Sequence, residues 1–116
     1  MTENKVRAFV KKIGISPELQ GYKYIVSAIL KMCEYGDPAR ISYTKLYAQL
    51  AEEFETSPSA IERLSRHAIY KVFETKEGLE CVRNVLEFPF SDGRVTNSQF
   101  LALCSDKLVR AEMEGE

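Results

Sequence analysis

Apolar residues recur at intervals of three and four along almost the whole chain, and this period fits α-helices and little else. Val6, Phe9, Val10 and Ile13 share one helical face, and Gly14 directly after them is a stop signal. Tyr22, Ile25, Val26, Ile29, Met32 and Cys33 continue the period, which predicts a long second helix from Pro17 to about Tyr35. Ser16 would be its N-cap, with a proline in the first turn. The run from Tyr35 through Gly36, Asp37 and Pro38 to Arg40 is turn chemistry. A third helix is predicted from about Tyr43 to Phe54, burying Leu46, Leu50, Ala51 and Phe54. Ser57 and Pro58 open a fourth that extends to about Glu74 with Ile61, Leu64, Ala68, Ile69 and Val72 inward. A short fifth helix follows around Lys76 to Val85. Leu86 to Val95 contains Pro89 and Asp92-Gly93 and reads as loop, although Leu86 to Phe90 alternates as a short strand would. The last helix starts at Asn97 and carries Phe100, Leu101, Cys104 and Leu108, with a frayed acidic tail expected over 112–116. The predicted fold class is all-α: one six-helix, bundle-like domain over residues 1–116, without internal repeats.

At 116 residues, 45% of them apolar, the chain is long enough for one hydrophobic core and too short for two domains. It has no run of about 18 consecutive apolar residues and no apolar leader after Met1, so neither a membrane partner nor a secretory signal is predicted, and a cytoplasmic location is expected. Cys33, Cys81 and Cys104 are odd in number, widely spaced and set among apolar neighbours, which suits reduced thiols. With one histidine and no C-x-x-C pair, no metal site and no cofactor are expected. The net charge of −1 conceals a segmented distribution. Residues 1–32 carry +4, residues 33–62 carry −4 and residues 63–116 carry −1, which leaves room for a local positive face.

Helix three, a three-residue turn and helix four, spanning about 43–74, have the layout of a helix-turn-helix without a wing. Leu50, Ala51, Phe54, Thr56, Ile61 and Leu64 fall where such a unit needs apolar or small groups. One position runs against the pattern: many such turns use glycine to enter a left-handed conformation, and the nearest candidate here is Glu55. On a wheel of about 100° per residue, the side of helix four opposite its core presents Ser59, Glu62, Arg63, Arg66, His67 and Tyr70. Arginine can donate two parallel hydrogen bonds to guanine, glutamate can accept from cytosine, and serine or histidine can touch phosphate. A plainer reading stands beside this one. Glu62 and Arg66 are four apart in the order that favours a surface ion pair, and His67 could be a half-buried structural imidazole.

Three separated segments carry a family likeness. Ile13-Gly-Ile-Ser-Pro-Glu-Leu-Gln-Gly-Tyr-Lys-Tyr24, Ile61-Glu-Arg-Leu-Ser-Arg-His-Ala-Ile69 and Thr96-Asn-Ser-Gln-Phe-Leu-Ala-Leu-Cys-Ser-Asp-Lys-Leu108 resemble, in order, the C-terminal effector domain of the stage-zero sporulation response regulator of endospore-forming bacteria. The likeness spans nearly the whole chain. It implies a six-helix transcription factor domain that binds double-stranded DNA at tandem promoter boxes, pairs as a dimer on them, and contacts the sigma subunit of RNA polymerase. By position it makes Glu62 and Arg63 base readers and Arg66 and His67 a basic pair on the backbone. The family has a guanine-reading arginine where this chain has Ala60, so a different target sequence is expected, and Pro58 also departs from the family pattern. Residues 74–95, the neighbourhood that the family uses toward RNA polymerase, match poorly. The family's protein also carries a receiver domain before this one, whereas here Met1 opens directly into helix one.

The leading expectation is thus a sequence-specific DNA-binding regulator using Ser59, Glu62, Arg63, Arg66 and His67, with lysines outside helix four adding attraction. Each neutralised phosphate would contribute roughly −0.9 to the slope of log affinity against log salt. The alternative is a protein-interaction module that kept the fold and lost DNA reading, motivated by Ala60, Glu55 and the acidic balance. An enzyme is not expected. There is no nucleophile elbow or phosphate-cradling glycine loop, and Ser65 and His67, two apart on a helix, point to different sides.

Overall fold

The computed structural model describes residues 1–35, 40–90 and 95–115, and among these there are six α-helices and no strand. In order they are α1 (Glu3–Ile13), α2 (Gln20–Tyr35), α3 (Tyr43–Glu53), α4 (Pro58–Phe73), α5 (Lys76–Leu86) and α6 (Asn97–Glu114). The all-α expectation holds. Hydroxyl side chains start five of them: Thr2, Ser42, Ser57, Thr75 and Thr96 each accept a backbone N–H from the first turn. Such a cap satisfies one of the donors that a helix start leaves open, at about 1 kcal/mol each. Gly14 ends α1 with φ 111°, a conformation that costs glycine nothing sterically, and its N–H reaches the carbonyls of Lys11 and Val10. The turn expected at Gly36 to Ala39 and the Asp92-Gly93 loop lie outside the described residues.

Helix α2 is the middle of the molecule. It packs against α1, α3, α4 and α6, so most of its faces are covered. Ile25 and Ile29 are fully buried, together with Val6, Val10 and Ile13 of α1, Leu50 of α3, Ile61 and Ile69 of α4, and Phe100 of α6. Contact between α2 and α4 is close enough to exclude a side chain. A methyl group built on Gly21 would stand 2.2 Å from the Leu64 carbonyl oxygen and 2.9 Å from the Ala68 methyl.

Two segments differ from the sequence expectation. Helix α2 begins at Gln20, three residues after Pro17. Ser16 does cap, but it caps a turn: its hydroxyl accepts from Glu18 N at 3.3 Å, and its carbonyl accepts from Leu19 N at 3.2 Å. That local bonding satisfies the Ser-Pro segment without a helix. The Leu86–Phe90 alternation is not a strand. Glu87, at φ 54°, ends α5, and Phe90 turns inward with its ring 5.4 Å from Phe73 and 4.7 Å from Phe88. At the other end α6 runs to Glu114, and Glu112 reaches the Met1 ammonium at 3.5 Å and Lys5 at 3.6 Å.

The junction between α3 and α4 answers the question raised by the missing glycine. Thr56 N donates to Ala51 O at 2.9 Å and Glu55 N to Glu52 O at 3.4 Å, the pair of bonds of a Schellman motif. Glu55 occupies its left-handed position at φ 53°. A residue with a Cβ loses about 1–2 kcal/mol there, partly offset by the greater chain entropy that glycine would lose on folding. Glu55→Gly is therefore expected to stabilise the domain by about 0.5–1 kcal/mol. Thermal unfolding followed by circular dichroism checks this, and a lower midpoint would contradict the strain assigned to the turn.

Candidate nucleic-acid interface

Helix α4 owes its position to both ends of its sequence. Ser57 caps it, accepting from Ala60 N at 3.1 Å, and Pro58 occupies the first turn, where its missing N–H costs no intrahelical bond. Ile61, Ala68, Ile69 and Val72 then bury one side against α2 and the other helices. Leu64 is half-buried, and Ser65, given no place in the core by periodicity, is buried at 3% exposure.

The opposite side is open. Ser59, Arg63, Arg66, His67 and Tyr70 are exposed and Glu62 is half-exposed. Ser59, Arg63, Arg66 and Tyr70 follow one another at spacings of four, three and four, so they form a single ridge, with Glu62 and His67 flanking it on either side. All five residues nominated from sequence are thus brought to one surface. The plainer reading of His67 as a half-buried imidazole does not hold, since the residue is exposed.

Within the ridge the side chains are engaged differently. Arg66 and Glu62 form an ion pair through Nη2 and Oε1, the surface pair that their spacing suggested, worth a few tenths of a kcal/mol to the helix. That hydrogen bond is the main influence raising the Arg66 guanidinium above its ordinary range. Ser59 leans toward the cap, its Oγ 3.2 Å from Ser57 Oγ. Arg63 makes no ion pair or side-chain hydrogen bond among the described residues, so its five N–H donors point into solvent. Glutamate and arginine side by side, one pre-paired and one open, offer an acceptor and a fork of donors, the two functions that tell cytosine from guanine in the major groove.

The lysines divide in the same way. Lys31 is tied to Glu53 at 3.0 Å, Lys71 to Glu74 at 3.8 Å, and Lys23 lies over the Phe54 ring at 5.5 Å. Lys45 is exposed in the first turn of α3, next to the Ser42 cap. Among the described residues the thiols are unpaired, and burial pushes the Cys33 thiol up to about 11. No helix among the described residues is long and apolar enough to cross a membrane.

Sequence reasoning missed one residue that touches α4 from outside. Asn97, the first residue of α6, is buried and donates from Nδ2 to the Glu62 carbonyl at 2.9 Å. Periodicity had no means of finding it, because polar residues are expected outside the core; the only signal was its place in the Thr96-Asn97-Ser98 run. A protein-family model, that of the sporulation initiation factor Spo0A C terminal, matches residues 6–108.

Proposed function

From the premise that the chain belongs to the Spo0A C-terminal family of sporulation initiation factors, we propose that α4 is its recognition helix, lying in the major groove of double-stranded DNA. The family is that of a DNA-binding transcription regulator and not an enzyme family, so at this level the chain is a DNA-binding domain. The finer reading assigns base contacts to Glu62 and Arg63 and backbone contacts to Ser59, Arg66 and His67. The observation that carries it is the unengaged Arg63 guanidinium on the exposed ridge of a helix whose other side is core. Arg66 and Glu62 support it less directly, since their ion pair has to open or be shared for Glu62 to accept from a base.

The test is selection of bound duplexes from a random pool, run in parallel with the Glu62→Ala, Arg63→Ala double variant. We expect the wild-type chain to enrich a short motif containing G·C pairs and the variant to enrich none while still binding bulk DNA weakly, because phosphate contacts carry no sequence information. No enrichment by the wild type at moderate salt would remove the reading. The competing interaction module, motivated by Ala60 and the acidic balance, would then take its place. Pairing of two copies on tandem boxes and contact with the RNA polymerase sigma subunit, both implied by the family likeness, belong to the same proposal. So does the expectation that Ala60 gives the chain a target sequence of its own, since a methyl group cannot make the two hydrogen bonds of an arginine.

A further inference from the structure

The Thr96-Asn97-Ser98 run opens α6, and its middle residue is unusual for the first position of a helix in being only 7% exposed. A buried amide is costly unless its polar atoms are met. Asn97 meets half of that demand. Nδ2 donates to Glu62 O at 2.9 Å, whereas Oδ1 is buried with no hydrogen-bond partner. A backbone carbonyl only accepts, so this bond fixes which way the amide faces. The Tyr47 phenol lies alongside, and burial is the main influence that raises it. Tyr43, one turn earlier in α3, donates its hydroxyl to the Ser98 carbonyl at 3.3 Å. The start of α6 is therefore bonded to both helices of the helix-turn-helix.

We infer that Asn97 is a positioning residue for DNA reading: its amide holds the turn of α4 that carries Glu62 and Arg63, and so sets the angle at which that turn meets base edges. The inference rests on the recognition role of α4. Folding stability alone gives asparagine little advantage here, since alanine would remove the unpaired Oδ1 together with the bond that Nδ2 makes. What alanine could not replace is direction. Apolar contacts along Ile61, Ala68 and Ile69 hold α4 against the body without specifying its rotation closely, whereas a hydrogen bond weakens steeply once bent. The bond falls on the carbonyl of Glu62, adjacent to Arg63, where a small rotation of the helix moves the reading side chains most directly.

Two variants test this. Asn97→Ala removes the amide, and Asn97→Leu keeps its branched shape while removing the donor without adding a charge. For each, affinity is measured for a duplex enriched by the wild-type chain and for an unrelated duplex, with amide hydrogen exchange measured on the free protein. We expect both variants to lose about tenfold on the enriched duplex, an energy typical of a distorted base contact, and to keep the unrelated affinity and the salt slope of the wild type. Exchange at residues 63–66 should quicken, with α1 and α2 unchanged. In an Arg63→Ala background, Asn97→Ala should cost less further selectivity than it does in the wild type. Full selectivity in both variants of a sequence-selective wild type overturns the inference alone. Equal losses on both duplexes with faster exchange throughout also overturn it, leaving Asn97 a merely structural residue. Absence of any enriched duplex for the wild type overturns the recognition role of α4, and the inference with it.

Discussion

Replacing Gly21 by alanine is expected to lower the thermal midpoint by about 10–15 °C, corresponding to about 3 kcal/mol for a domain of this size. The direction is opposite to the usual one. In an exposed helix interior the same change gains about 0.5–1 kcal/mol, since alanine loses less chain entropy on folding. Here the added methyl would stand 2.2 Å from the Leu64 carbonyl oxygen, 2.8 Å from its carbon and 2.9 Å from the Ala68 methyl. Two of these are backbone atoms of a helix and cannot swing aside as a side-chain tip could. Either α2 and α4 separate, opening voids beside Ile25 and Ile69, or one helix start unwinds. Thermal unfolding followed at 222 nm measures the effect, and an unchanged or raised midpoint would show that the helices are not in this register. Since α4 is also the proposed reader, the variant is expected to bind the enriched duplex more weakly even where it remains folded.

The second large effect is expected on binding with none on folding. Arg63→Ala should weaken binding to the enriched duplex by about 10- to 100-fold, the ~1–3 kcal/mol that a bidentate arginine–guanine contact supplies. Its thermal midpoint should stay within about a degree of wild type, because Arg63 is exposed and makes no ion pair among the described residues, and surface changes of that kind rarely exceed ~0.5 kcal/mol. Binding to unrelated duplexes should fall much less. Competition titrations at two salt concentrations separate these outcomes. An Arg63→Ala protein that keeps its preference for the enriched motif would move base reading elsewhere on the domain.

Much of this arrangement is legible in the sequence, for reasons that can be named. The spacing of Val6, Val10 and Ile13 ahead of Gly14, and the Ser57-Pro58 start ahead of Ile61, Ala68 and Ile69, are local signals that tertiary packing agrees with. For that reason the open ridge of α4 could be placed before any coordinates. Ser16-Pro17 carries the same local signal and misleads, because the hydroxyl closes a turn and the helix waits for Gln20. Glu55 looks like an objection to the helix-turn-helix until its φ of 53° shows glutamate doing the work of glycine. Gly21 and Asn97 lay beyond reach. Each is explained by a partner more than thirty residues away, Leu64 for the glycine and the Glu62 carbonyl for the asparagine, and no periodicity encodes such a pairing.

The central place of α2 has a consequence for how the domain comes apart. Since α1, α3, α4 and α6 all pack against it, removal of α2 would expose apolar surface on each of them at once. The segment from α3 to α4, cut from the chain, is accordingly expected to lose the core that Leu50, Ile61 and Ile69 share with α2, and the exposed ridge of α4 its support with it.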